Sequence, residues 1–215
     1  MADNDEIFDF NQVLRYAVNP KTPGSKPLLN KAVKEFQQTV DPVKDPGEDE
    51  LLKALFAEWM IFDFEPKAGE TLISRYIEAN PDHLDAITLI HIKQAAASSI
   101  TSLFWVKGIA PLSHGVLLSE VRSGQEFLVF GKSMLQALMD PTGLIAVRIL
   151  KWEDRWMFGG VPVMYQPVKI TEEQEAEALV DEDEPTRPSF IELVRMAHGR
   201  EGVEEVTVPV KPSEE

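Results

Sequence analysis

The stretch FAEWMIFDF, residues 56–64, sets a single aspartate, Asp63, among Phe56, Trp59, Met60, Ile61, Phe62 and Phe64. A carboxyl group in apolar surroundings holds its proton more tightly than one in water, which is how general acids are made. Such chemistry also needs a second polar group at a cleft, and none stands out beside Asp63 in the sequence. The competing role is structural. Asp63 lies where an apolar helix must stop, six residues before Gly69. Its oxygens can accept hydrogen bonds from amides left open at the start of the next helix. The structural role as a cap is the better supported of the two, and on it Asp63→Asn costs about 1–2 kcal/mol.

A second cluster lies in RILKWEDRWMF, where Arg148, Lys151 and Arg155 interleave with Trp152 and Trp156. Exposed rings beside cations are how sheet modules stack bases and hold phosphates. Inward-packed tryptophans with solvated cations would give the same sequence. Strand alternation puts Ile145, Val147, Ile149 and Lys151 on one side, and Leu144, Ala146, Arg148, Leu150 and Trp152 on the other. The inward-packed arrangement is favoured. These five residues are nonetheless the candidate nucleic-acid or partner-binding set.

Other chemistry finds little footing. The histidines are His83, His91, His114 and His198. His83 and His91 stand two helical turns apart, too far to hold one metal ion unaided. His198, beside Gly199, reads as a cation at a helix C-terminus. There is no cysteine, which excludes disulfides, thiolate metal sites and cysteine nucleophiles. Gly-x-Ser-x-Gly, the P-loop and Gly-x-Gly-x-x-Gly are all missing. Ser113 and His114 are adjacent and would point to opposite faces of a strand. No catalytic, cofactor-binding or metal residue is expected.

These groups are positioned by two textures of chain. Apolar residues at steps of three and four mark helices over residues 3–18, 28–40, 48–64 and 71–79. A fifth helix over residues 82–102 is apolar on more than one side and is expected to sit centrally, capped by Asn80 with Pro81 at its first position. After Ser102, short β-branched and aromatic runs broken by glycines mark a small antiparallel sheet or barrel. Ser123-Gly124 and Glu153-Asp154-Arg155 are its candidate turns, and a short helix over 133–139 interrupts it. The expected fold is α+β. Helices fill residues 1–102 and the β module 103–170. An acidic linker or frayed helix follows over 171–188, a C-terminal helix over 189–200, and a tail over 201–215.

The formal net charge is −15 and lies mostly at the end of the chain: residues 171–215 hold 14 acids and 4 bases, against 22 and 17 before them. That balance opposes sequence-independent binding to duplex DNA. No signal peptide or membrane-length apolar run is apparent, so a cytoplasmic protein is expected.

The block Phe56, Trp59, Ile61, Phe62, Asp63, Phe64, followed by Gly69, Thr71, Leu72, Ile73 and Tyr76, resembles a segment of uncharacterised bacterial proteins, some of which end in a SecA-type zinc motif. The likeness runs over about residues 50–165. The zinc appendage does not carry over to a chain without cysteine. The resemblance implies a fold and no reaction. The leading expectation is a bacterial, cytoplasmic, non-enzymatic protein-binding adaptor or regulatory module. The alternatives are a nucleic-acid-associated module using the 148–156 hairpin, or a hydrolase with an unrecognised site.

Overall fold

A computed structural model describes residues 7–22, 24–39, 50–110, 115–131, 144–160 and 163–165. The expected acidic linker, C-terminal helix and tail, the short helix over 133–139, His114 and His198 lie outside the described residues.

Among the described residues, five helices come first: α1 (Asn11–Val18), α2 (Ser25–Thr39), α3 (Glu50–Phe62), α4 (Leu72–Ala79) and α5 (Ala86–Ser98). Each lies within or beside a stretch marked by the apolar steps, but α1 starts only at Asn11, so residues 7–10 of the expected 3–18 helix are not helical, and α5 stops at Ser98, with residues 100–102 of the expected 82–102 helix in the first strand. The α4 N-cap is Thr71, whose side chain accepts from the Ser74 amide. Asn80 closes α4 in the left-handed conformation, and its side chain brackets the next turn by accepting from the Leu84 amide and donating to the Leu84 carbonyl. Asn80 is therefore not the cap of α5. That cap is Asp85, whose Oδ1 accepts from the amides of Ile87 and Thr88, each at 2.9 Å. The α5 helix starts later than the sequence pattern implied because Asp85 can satisfy two open amides at once while Asn80 is held by α4.

Six strands follow among the described residues: β1 (Ile100–Ala110), β2 (Gly115–Glu120), β3 (Glu126–Phe130), β4 (Leu144–Trp152), β5 (Arg155–Phe158) and β6 (Val163–Tyr165). Their order is β1-β2-β3-β5-β4-β6, and β1 also pairs with β4, so the first five close into a barrel with β6 added on β4. All pairings are antiparallel except β3 with β5, which run parallel through Val129↔Trp156 and Phe130↔Met157. A meander of three strands, a fourth beside the first and a fifth parallel to the third is the connectivity of an OB-type Greek-key barrel. That architecture hosts many activities and by itself assigns none. The turn between β4 and β5 is Glu153-Asp154, between the paired Trp152 and Arg155. Gly124, with φ +66°, supplies the left-handed residue of the β2–β3 turn.

Two apolar clusters result. One fills the barrel with Phe104, Val106, Val116, Leu118, Phe127, Val129, Ile145, Val147, Ile149 and Phe158. The other gathers the helices around Val13, Phe36, Leu52, Trp59, Phe64, Leu72, Tyr76 and Ile92, and takes in Leu150 and Met157 from the barrel's outer side. Strand β4 thus has both faces covered along its middle: Ile145, Val147 and Ile149 point into the barrel, while Leu150 and Trp152 meet the helices. A strand buried on both sides reads as a nearly continuous apolar run, as LIAVRIL does.

Candidate functional site

Arg148 interrupts that run. It lies mid-strand on the helix-facing side of β4 and is 3 % exposed. A guanidinium removed from water is tolerated only when its donors are used. Here Nε donates to Glu58 Oε1 at 2.9 Å, Nη1 donates to Ser99 Oγ at 2.8 Å, and Nη2 donates to Asp63 Oδ2. The Phe62 ring covers the guanidinium plane at 4.8 Å. Helix α3 supplies Glu58 and Phe62 from its last turns, Asp63 follows directly after it, and Ser99 joins α5 to β1. The chain after β5 closes the other side. A Cβ at Gly160 would fall on the Glu58 carboxylate, and one at Gly159 would lie 2.6 Å from Leu150 Cδ2. The glycine pair lets backbone press against the ion cluster.

The two carboxylates differ in setting. Glu58 is enclosed, with a side chain 5 % exposed, whereas that of Asp63 is 35 % exposed. Burial pushes the Asp63 carboxyl above its ordinary value, while the Arg148 charge and hydrogen bond pull it down and offset only part of the rise. Asp63 therefore does not cap α4, where Thr71 does that work. It stands at the end of α3 as the outer partner of a buried arginine. The second polar group that the sequence did not disclose is Arg148, with Glu58 behind it.

The rest of the 148–156 set divides. Trp152 packs against the helical cluster, edge-on to Phe10 at 6.4 Å and to His91 at 5.4 Å. Trp156 meets Phe127 edge-to-face at 5.0 Å, with the Lys151 ammonium over it at 5.3 Å. Arg155 is exposed and lies over Phe130 at 5.4 Å. With Arg148 buried, and both tryptophans half-buried against protein, the hairpin does not present the joined basic and aromatic surface on which the nucleic-acid reading depends. Among the described residues, no group of three or more His, Asp or Glu is placed to hold a metal ion. No described helix is long and apolar enough to cross a membrane.

A cavity of about 430 Å³ opens between α1 and the α4–α5 turn, lined by Gln12, Arg15, Tyr16, Asn19, Pro81 and Asp82. Several of its polar groups are engaged within the protein. Arg15 bonds Asp9 at 2.7 Å, Asn19 Oδ1 accepts from the Lys21 amide, and Asp82 Oδ2 accepts from the buried Tyr76 hydroxyl at 2.6 Å. Burial and the Asp82 carboxylate push the Tyr76 phenol well above its ordinary value, so it stays a neutral donor.

The outer face of α5 is different. Ile87 is 66 % exposed and Ile90 60 %, the largest exposures among large apolar side chains of the described residues. The sequence placed this helix centrally because it is apolar all round. In the structure Ile92 and Ala95 are buried on one side and the isoleucines open to solvent on the other.

A family model matches residues 30–178, more than half of the chain. The chain belongs to the family of unknown function DUF7986. The match spans α3 with Glu58 and Asp63, α5 and the whole barrel, so both the ion cluster and the open helix face lie inside the family's extent. Neither a curated protein nor a solved structure gives a significant match.

Proposed function

We propose that the protein is a non-enzymatic, protein-binding adaptor or regulatory module of the bacterial cytoplasm, and that the outer face of α5 is its interaction surface. The observation that carries this is the exposure of Ile87 and Ile90 side by side on a regular helix. Contiguous exposed apolar surface on a soluble domain is the mark of a docking site. A helix apolar on every side is stable as a surface element when something covers the side left open. The hydrolase alternative gains nothing from Asp63, whose carboxylate is tied to Arg148. The outward side of β2 and β3, through which OB-type barrels bind oligonucleotides, carries Leu117 opposite Leu128 and the acid Glu126.

The test is capture from a bacterial lysate on immobilised full-length chain. Proteins retained by the natural sequence and by a Leu128→Glu control, but lost from Ile87→Glu/Ile90→Glu, support the proposal. Retention indifferent to the α5 substitutions, or no retention at all, counts against it.

A further inference from the structure

We propose that the cavity between α1 and the α4–α5 turn binds a small zwitterion, a free α-amino acid or a compound with the same ammonium and carboxylate groups. The site is separate from the outer face of α5, and the inference does not rest on that face. Its volume of about 430 Å³ is that of a small-molecule site. Five of its six lining residues are polar, so selection there comes from charge and hydrogen bonding rather than from apolar fit.

Two of the lining residues, Arg15 and Asp82, carry opposite charges, and no ion pair joins them. Each is held by a partner of its own. Arg15 Nη2 donates to Asp9 Oδ2 at 2.7 Å, and Asp82 Oδ2 accepts from the Tyr76 hydroxyl at 2.6 Å. Tyr76 is fully buried on α4 and meets the Tyr16 ring of α1 edge-on, so Asp82 is anchored to the helical core. Asn80 fixes the same turn through its two bonds to Leu84. Among the described residues, no bond engages Arg15 Nε or Nη1, Asn19 Nδ2, the Tyr16 hydroxyl or Asp82 Oδ1. A guanidinium edge, an amide donor and a carboxylate oxygen thus line one cavity with bonding capacity to spare.

These charges choose the ligand. A simple anion suits Arg15 and is repelled by Asp82, and a simple cation suits Asp82 and is repelled by Arg15. A neutral polar molecule displaces water from both and returns a counter-charge to neither. A molecule with a carboxylate and an ammonium satisfies both. Its carboxylate takes the Arg15 fork with Asn19 Nδ2 beside it, and its ammonium donates to Asp82 Oδ1 and to Gln12 Oε1. The Arg15 side chain is 62 % exposed, so water competes at that end. Binding is accordingly weak, with a dissociation constant on the order of 10⁻⁵ to 10⁻³ M.

Thermal melts of the full chain with each common L-amino acid at about 10 mM, followed by titration calorimetry with any that stabilises, test the site. At least one should raise the melting temperature and titrate as a single saturable site. The methyl ester of that amino acid, which lacks the carboxylate, and its N-acetyl derivative, which lacks the ammonium, should each bind about tenfold more weakly or worse. Arg15→Gln, and Asp82→Asn, which keeps an acceptor for Tyr76, should weaken binding by a similar factor with an unchanged circular dichroism spectrum. Ile90→Glu should leave it unchanged. No saturable binding by any amino acid, binding indifferent to either Arg15→Gln or Asp82→Asn, or equal binding of the ester or the N-acetyl form overturns the proposal.

Discussion

Glu58 and Asp63, both paired with Arg148, show how burial sorts residues of the same charge type. Breaking a buried pair by removing one partner costs about 3–5 kcal/mol, because the other charge stays behind without compensation. Glu58 is enclosed, so Glu58→Gln should cost in that range. Asp63 is one-third exposed and its pair is screened by water, so Asp63→Asn should cost less than about 1 kcal/mol. Urea denaturation of the two variants at neutral pH gives the ranking. The pH dependence separates Asp63 from Asp85, since their carboxyls move in opposite directions. Asp63 is raised in the folded protein, so folding favours its protonated form. The natural chain should gain stability relative to Asp63→Asn as pH falls from above the raised folded value towards the ordinary one near 3.9. Asp85 is lowered by the Thr88 amide and hydroxyl and the Ile87 amide that its carboxylate accepts from. Its contribution is complete above the ordinary value and lost as pH falls through the lowered folded value, so the advantage over Asp85→Asn should shrink on acidification. Melts of the natural chain and both variants between pH 3 and 7 read the two signs together. Little of this was legible in sequence, because Glu58 and Arg148 lie 90 residues apart and nothing in one chain's spelling pairs them. The oddity of Asp63 among rings was visible, and its partner was not.

At the level of elements, the steps of three and four located all five helices, and alternation along β4 correctly separated Ile145, Val147 and Ile149 from Leu150 and Trp152. Those signals are local and survive folding unchanged. What failed needed knowledge of neighbours. The α5 helix is apolar on every side, and sequence alone does not say which side goes uncovered. Asn80 and Asp85 are both good caps, and the choice fell to the residue not already engaged by α4. The parallel β3–β5 pair that closes the barrel joins strands 25 or more positions apart, beyond any hairpin signal. The glycine pair after β5 looked like simple punctuation and is instead a close approach of backbone to α3. Gly160→Ala should cost about 1–3 kcal/mol, because the added methyl meets the Glu58 carboxylate and Glu58 can yield only by loosening its bond to Arg148. Comparison of Gly160→Ala with Gly69→Ala by thermal melting isolates that effect. Gly69 has open space around its Cβ position and pays only for a backbone at φ +75°.

The described residues form a helical cluster and a closed barrel that share one strand. Ile145, Val147 and Ile149 of β4 belong to the barrel interior, and Leu150 and Trp152 belong to the helices. Arg148, on the same side, is gripped by α3 and by Ser99, and the segment after β5 packs over it. Hydrophobic burial supplies the stability of each part. The ion cluster fixes one register between them, because a buried arginine with several designated acceptors fits one place. On this account Asp63 belongs to the frame that holds α3 against the barrel, and interaction with partners belongs to the open side of α5. The most direct measurement of the frame is a double-mutant cycle of Glu58→Gln and Arg148→Met, followed by urea denaturation. The account predicts that the double variant is less destabilised than the sum of the singles by about 2 kcal/mol or more. Costs that add to within about 0.5 kcal/mol would show the two groups to be energetically independent, and would contradict it.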